Sequence, residues 1–167
     1  MLQAQKYIEI VRSRGERRLP LNRVYRMIGH RDLYLAAYGK LYANKGATTP
    51  GVNPTDTVDG MSLKRIERII AQLETGTYQW TPVKRTYIKK KKGGQRPLGL
   101  PGWNDKLLQE VIRMILDAYY EPRFADNSHG FRPGRGCHTA LETIRDHWKG
   151  TKWFIEGDSA PFNGVKD

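Results

Sequence analysis

The stretch Val83–Pro101, VKRTYIKKKKGGQRPLGLP, is the part of this chain around which we expect the rest to be arranged. Two short extended runs, Val83–Ile88 and Arg96–Leu100, flank a charged tip that bends at Gly93–Gly94. Extended runs on both sides of a glycine turn predict an antiparallel β-hairpin, because glycine readily adopts the left-handed backbone that tight turns need. We therefore expect a hairpin that the helical remainder of the chain holds in place.

The predicted hairpin is strongly basic. Between Lys84 and Arg96 there are seven Lys or Arg residues and no Asp or Glu. The four consecutive lysines Lys89–Lys92 repel one another, and a bound polyanion would relieve that repulsion. A solvated basic loop is the alternative, because runs of like charge usually face water.

The composition and net charge of the chain indicate which class of molecule it binds. The chain has 167 residues, 38% of them apolar, which is about one domain with a modest core. A net charge of +12 indicates a polyphosphate partner, with an anionic membrane surface as the rival. No apolar run approaches the ~20 residues of a spanning helix, and no signal peptide follows Met1. The single cysteine, Cys137, favours a reducing compartment.

The first 31 residues are predicted to form a basic helical extension. Apolar residues at helical spacing predict a helix over residues 2–14 that Gly15 ends, and a second segment follows at Leu21–Gly29. This region has eight Lys or Arg residues against two Glu. An amphipathic helical pair with a polar outer face and an arm that faces nucleic acid both fit this pattern.

Four further helical features are predicted around a long loop. Asp32 is expected to cap a helix that runs to Asn44. Residues 45–61 form a loop rich in Gly, Pro, Thr and Asp, and loops of that length are commonly functional or disordered. Ser62 is expected to cap the next helix, and the most buried helix runs from Asn104 or Asp105 to Tyr120. The last helix opens with a capping box at Thr139–Glu142 and ends at Gly150. The core-facing residues expected in the helix after Ser62 are Leu63, Ile66, Ile70 and Leu73.

The stretch Lys152–Asp158 is predicted to be a short buried strand that ends in a carboxylate. A strand end places an aspartate on rigid backbone, which suits a metal ligand or a general base. Capping a turn is the commoner role for such an aspartate, so both roles stay open for Asp158. The four histidines show no metal-ligand spacing with Cys137.

Several motifs occur in an order that resembles the start of group II intron reverse transcriptases and maturases. They are NKGATTPGV, VDGMS, KKKKGGQRPLGLP, SHGFRPGRGCHTA and FIEGD, and the resemblance begins at about Leu21. It implies an α+β fold with helix-rich reverse transcriptase fingers, an antiparallel β-hairpin, and the first strand of a truncated right-hand polymerase palm. The implied division is an N-terminal extension at 1–31, fingers with part of the palm at 32–150, and the start of the palm at 151–167.

The resemblance also implies roles for individual residues. Lys90 and Arg96 would hold the nucleotide triphosphate, with Arg85 near the template or the nucleotide. Lys89 or Lys91 could replace Lys90 in that role, because the offset among the lysines is open. Asp158 would be the first ligand of a two-metal Mg²⁺ site that activates the primer 3′-hydroxyl. The residues implied in template or RNA binding are Lys89, Lys91, Lys92, Phe131, Arg132, Pro133, Gly134 and Arg135.

The implied partners are group II intron RNA, an RNA template with a DNA primer, and dNTP, with no membrane. The implied function is RNA-directed DNA synthesis for retrohoming together with assistance in splicing. An RNA-binding maturase module without polymerase activity is the alternative, and the ordered motifs argue against an unrelated basic RNA-binding protein. The expected location is the bacterial cytoplasm or an organelle, and a homodimer is left open.

The sequence departs from the family pattern after Asp158. Phe162 comes one residue early, and Asn163 stands where the family has a second aspartate. The paired aspartates of the Tyr–Ala–Asp–Asp type are expected beyond Asp167.

One carboxylate cannot hold two metal ions, so we predict that this polypeptide alone does not extend a primer. The assay is incorporation of dNTP opposite an RNA template at saturating Mg²⁺, with a complete reverse transcriptase as the positive control. Template-dependent extension by the 167-residue chain would contradict the prediction.

Overall fold

The computed structural model describes residues 2–44, 46–91, 93–153, 155 and 157. It divides the chain into two compact units, Met1–Phe124 and Ala125–Asp167. Helices and a two-stranded antiparallel sheet make up the regular structure of the described residues. The predicted α+β class is therefore confirmed.

Helices dominate the first unit, and a single hairpin interrupts them among its described residues. In chain order the elements are α1 (Leu2–Glu16), α2 (Val24–Ile28), α3 (Arg31–Tyr42), a 3₁₀ turn at Val58–Gly60, α4 (Leu63–Glu74), β1 (Lys84–Lys89), β2 (Gln95–Leu100), α5 (Trp103–Tyr120) and a 3₁₀ turn at Glu121–Arg123.

Helix α5 is the centre of the core in this unit. It begins within two residues of the predicted start and buries side chains on most of its circumference, as the sequence predicted. Helices α1 and α3 pack against α5, and α4 packs against α3. The buried apolar residues of this cluster are Ala4, Val11, Ile28, Leu33, Tyr34, Ala37, Ile66, Ile69, Leu107, Leu108, Val111, Ile115, Ala118 and Tyr119.

Gly15 does not end α1, which continues to Glu16. A Cβ atom built at Gly15 would overlap the backbone carbonyl of Tyr119. The glycine therefore permits close approach of α1 to the C-terminal part of α5, and the prediction that it stops the helix is wrong.

The starts of α3 and α4 follow the predictions to different degrees. Helix α3 begins at Arg31 with His30 at its N-cap, so Asp32 lies in the first turn, where its negative charge favours the helix dipole. Ser62 does cap α4, since its Oγ accepts a hydrogen bond from the Arg65 backbone N–H at 3.3 Å. Within α4 the fully buried pair is Ile66 and Ile69.

The predicted apolar face of α4 is therefore partly wrong. Leu63 is 51% exposed, whereas Ile70 and Leu73 are partly buried at the edge of the core. Leu63 lies in the first turn, ahead of the segment that packs against the core, and this explains its exposure.

The second unit contains α6 (Cys137–His147), which begins two residues before the predicted capping box. Gly136 is its N-cap, and the Gly136 N–H donates a 2.9 Å hydrogen bond to Thr139 Oγ1. The Thr139 side chain, which lies in the first turn, therefore provides a hydrogen-bond acceptor for the backbone N–H of the N-cap residue. The helix ends at His147 rather than at Gly150.

The predicted buried strand at Lys152–Asp158 does not form among its described residues. Lys152, Trp153, Ile155 and Gly157 have no strand conformation, and Trp153 and Ile155 are 89% and 99% exposed. A strand needs a neighbouring strand for its backbone hydrogen bonds, and the only strands of the described residues, β1 and β2, pair with each other. The prediction is wrong for these four residues, while Phe154, Glu156 and Asp158 lie outside the described residues.

The predicted division at residues 31 and 150 stays a prediction. Among the described residues, every helix is too short or too polar to span a lipid bilayer.

The close approach at Gly15 gives a test of the α1–α5 packing. Gly→Ala in a helix interior normally stabilises by about 0.5–1 kcal/mol. Gly15→Ala should instead lower the free energy of unfolding by roughly 1–3 kcal/mol, because the added methyl group overpacks against Tyr119. Thermal and urea unfolding monitored by circular dichroism would measure this change.

Gly39→Ala in α3 is the matched control, because a Cβ atom there meets nothing within 4 Å. It should be neutral or stabilising. If Gly15→Ala stabilised the protein as much as Gly39→Ala, the α1–α5 contact would be disproved.

Candidate nucleic-acid interface

The hairpin that the sequence predicted is present. Strands β1 and β2 pair antiparallel, with Lys84 opposite Leu100 and Lys89 opposite Gln95. The Gly93 N–H donates to the Lys90 carbonyl at 3.2 Å, and Gly93 and Gly94 have φ angles of 88° and 81°. A glycine with positive φ after a tight turn is typical of a three-residue hairpin loop, so the turn glycines act as predicted.

The register assigns the predicted cationic residues to two faces. Ile88 lies opposite Arg96, so these residues share one face of the ribbon. The Lys90 N–H donates to the Gly94 carbonyl at 3.1 Å, which extends the pairing by one position and puts Lys90 on the same face. Arg85 and Lys89 lie on the other face, since side chains alternate along a strand.

Both faces of the ribbon are open to solvent. Tyr87 is 56% exposed on one face, and Ile88 and Leu98 are 51% and 40% exposed on the other. Arg85, Lys89, Lys90, Lys91 and Arg96 are all exposed. None of the ion pairs found among the described residues involves these five cations, which leaves their charge available to an anion.

The hairpin is anchored at the first turn of α5 by a buried carboxylate. Asp105 is 2% exposed and accepts hydrogen bonds from the Tyr78 hydroxyl at 2.7 Å and the Thr81 backbone N–H at 3.0 Å. The Thr81 hydroxyl also donates to Asp105. Burial, together with the Asp105 contact, raises the pKa of Tyr78 far above its usual value, so this phenol stays a donor.

The long loop between α3 and α4 reaches the same helix terminus. Asp56 Oδ2 accepts the Trp103 backbone N–H at 2.9 Å, which satisfies a donor that the helix itself leaves free. Arg65 forms an ion pair with Asp56 and also donates to Asn104. Lys106 donates to the Thr49 carbonyl at 2.6 Å, and burial lowers its pKa although Asp56 opposes the shift.

The predicted template-binding segment lies in the second unit. Phe131 is fully exposed and has a φ angle of 58°, an uncommon backbone conformation for an aromatic residue. Arg132 donates to the carbonyls of Ala125 and Ser128 at 3.0 and 2.9 Å. Arg135 donates to the Asp126 carbonyl and pairs with its carboxylate at 3.6 Å. Both guanidinium groups therefore shape the loop itself, and Pro133 and Gly134 are exposed beside them.

The predicted metal site is not described. Asp158 and Lys92 lie outside the described residues. Within the described ranges, no group of three or more His, Cys, Asp or Glu side chains could hold a metal ion. The predicted roles of Asp158 stay predictions.

Comparison with known proteins shows which proteins the chain, including part of the hairpin, is similar to. A family model described as reverse transcriptase (RNA-dependent DNA polymerase) matches residues 88–162, from the end of β1 onward. The group II intron-encoded protein LtrA of Lactococcus lactis subsp. cremoris is 53% identical over 137 residues, which is 81% of this chain. The chain belongs to the group II intron-encoded reverse transcriptase and maturase family.

Two eukaryotic relatives extend this similarity. An uncharacterised 91 kDa protein in the cob intron of Schizosaccharomyces pombe is 50% identical over 77% of this chain. The mitochondrial nuclear intron maturase 1 of Arabidopsis thaliana is 31% identical over 76% of it. The chain spans only 23%, 16% and 20% of the lengths of these three relatives, taken in the order given.

Sequence reasoning missed the anchor of the hairpin. Asp105 was predicted only as a helix start, and Asp56 only as part of a loop. An acidic residue in a first helical turn has an ordinary explanation in the helix dipole, so its pairing with Tyr78 and Thr81 leaves no local pattern to detect.

The open hairpin cations give a test on the 167-residue chain. Replacing Lys89, Lys90, Lys91 and Lys92 with alanine should weaken binding to single-stranded RNA. It should also flatten the dependence of log K on log salt by about 0.7 for each lost phosphate contact. Stability should change by no more than about 0.5 kcal/mol, because the substitutions are on the surface. Fluorescence anisotropy over a salt series would measure both effects on binding.

A second variant with Lys6, Lys64, Lys149 and Lys152 replaced by alanine loses the same charge outside the hairpin. Equal losses of affinity and slope in both variants would show that net charge acts alone and that the hairpin is not a specific phosphate contact.

Proposed function

We propose that this chain provides the fingers of a group II intron reverse transcriptase, which binds intron RNA, assists splicing and copies RNA into DNA. The observation that carries the proposal is the open hairpin, which holds Lys90 and Arg96 on one face without an acidic partner. The 53% identity with LtrA over 137 residues supports it.

The two cations suit a nucleotide triphosphate by their chemistry. The planar guanidinium of Arg96 can donate two parallel hydrogen bonds to phosphate oxygens, and the Lys90 ammonium supplies a compact positive charge. Arg85, Lys89 and Lys91 would meet the template backbone, together with Lys92. Phe131–Arg135 would contribute an exposed aromatic ring and close backbone approach on the template side.

The remaining roles belong to the whole polymerase. Asp158 would be one of the carboxylates that hold a divalent metal, proposed to be Mg²⁺, and that metal supplies Lewis-acid stabilisation of the reacting phosphate. The proposed partners are intron RNA, an RNA template with a DNA primer, and dNTP, with homodimerisation as a further proposal. The proposed location is the bacterial cytoplasm or an organelle.

A maturase function without polymerase activity is the second candidate, and the basic N-terminal extension at residues 1–31 favours it. Residues 1–31 have eight Lys or Arg residues against two Glu, and Arg12, Arg17 and Arg26 are exposed there. Such a surface would bind structured RNA independently of the hairpin.

Chemical footprinting on a group II intron RNA would test the proposal. We expect protection of discrete intron positions and little protection of an unrelated structured RNA of equal length. Loss of protection in the Lys89–Lys92 alanine variant alone would favour the hairpin. Loss only after Arg12, Arg17 and Arg26 become Gln would favour the second candidate. Equal protection of both RNAs would contradict both functions.

A further inference from the structure

Neither face of the hairpin packs against other elements in a way that could fix its orientation relative to α5. Tyr87 on one side and Ile88 on the other are each more than half exposed. A two-stranded hairpin without a covered face is only marginally stable by itself. The hydrogen bonds between β1 and β2 hold the two strands together, but they do not fix the orientation of the hairpin relative to the helices. Its direction must therefore be set at its two ends.

Both ends of the hairpin meet at the first turn of α5. The chain enters β1 through Thr81, and it leaves β2 through Pro101 and Gly102 into the helix. A Cβ atom at Gly102 would lie 3.0 Å from Thr81 Oγ1, so the entering and leaving segments are in close contact. Val83 packs the same way against Gly99, whose Cβ would lie 3.1 Å from a Val83 methyl carbon.

At this first turn of α5, one buried group binds the segment that enters the hairpin. Two oxygens of Asp105 accept three hydrogen bonds, one from Tyr78 and two from Thr81. All three donors come from the segment that enters the hairpin, whereas the acceptor belongs to the helix that follows it. An amide at this position would offer one acceptor oxygen and turn two N–H donors toward existing donors.

We propose that Asp105 is the positioning residue of the hairpin. Its contacts with Tyr78 and Thr81 fix the angle between the ribbon and α5, and thereby hold the ribbon's cations ready for a phosphate ligand. This inference rests on the proposed function, in which the hairpin is the phosphate-binding element. A fixed hairpin loses less freedom on binding than a pivoting one, so positioning raises affinity without adding a contact.

The direct test measures the direction of the hairpin in the 167-residue chain, with Cys137→Ser to remove the native thiol. Spin labels at Gln95→Cys in β2 and Gln109→Cys in α5 occupy two exposed positions of the first unit. Double electron–electron resonance should give one narrow distance distribution for the parent. Asp105→Asn, Tyr78→Phe and Thr81→Val should broaden this distribution. Thr81→Ser should keep it as narrow as in the parent, because the hydroxyl that donates to Asp105 is retained.

Binding supplies the second readout, with a labelled 20-nucleotide oligouridylate as the probe. Asp105→Asn should bind about tenfold more weakly, with an unchanged salt slope, because the same cations contact the same phosphates. The Lys89–Lys92 alanine variant should lose slope as well as affinity. This difference separates positioning from phosphate contact.

Two controls keep the result interpretable. Asp117→Asn makes the same substitution at an exposed position of α5, where the carboxylate pairs with Arg113. Ile115→Val lowers the melting temperature through the core of the same helix, away from Asp105. Neither control should change the distance distribution or the affinity. If Asp105→Asn fails to fold, Tyr78→Phe and Thr81→Val carry the test.

Each outcome decides the matter. Broadened distances with weaker binding at constant slope support the inference. Unchanged distances in all three variants overturn it, whatever happens to binding, and leave the proposed function standing if the lysine variant still loses slope. Broadened distances with unchanged affinity overturn the link to binding. An unchanged slope in the lysine variant counts against the proposed function instead.

Discussion

The structure of the first unit depends on a carboxylate that is removed from water and satisfied by three donors. A buried charge is costly unless hydrogen bonds replace its hydration, and Asp105 receives them from the Tyr78 hydroxyl and from both the backbone and the side chain of Thr81. The arrangement joins the segment before the hairpin to the helix after it. Position 105 therefore couples the only sheet of the described residues to the centre of the core.

Helix α5 can serve as this platform because its own position is fixed along its length. Its apolar side chains fill the core, and its polar groups tie it to neighbouring elements. Burial alone would raise the pKa of Glu110, but hydrogen bonds and charges from Arg113 and Lys40 outweigh this effect and lower it. The Lys40 contact joins α3 to the middle of α5, while Asp56 and Lys106 join the long loop to its beginning.

The predictions that succeeded concern interactions between near neighbours in the chain, and those that failed concern contacts between distant residues. Local rules were sufficient for the hairpin, for the Ser62 cap and for the extent of α5, since turn glycines, capping hydroxyls and apolar periodicity act between near neighbours. Gly15 was misassigned because its role is contact with Tyr119, far along the chain. The predicted strand around Trp153 failed for the same reason, because a strand needs a partner that local pattern does not supply. For the site, residue type identified the hairpin cations, but the separation of Arg85 from Arg96 onto opposite faces required the register.

The absence of a covered face on the hairpin has a consequence for how this region can change. The residues of the hairpin contribute little to the free energy of folding, since neither Tyr87 nor Ile88 is buried. Lengthening a loop costs little chain entropy, so the tip could gain or lose residues while the helical scaffold stays intact. Homologous proteins could accordingly differ in ribbon length and tip charge with no adjustment of the core, which would let selection tune ligand preference separately from thermal stability.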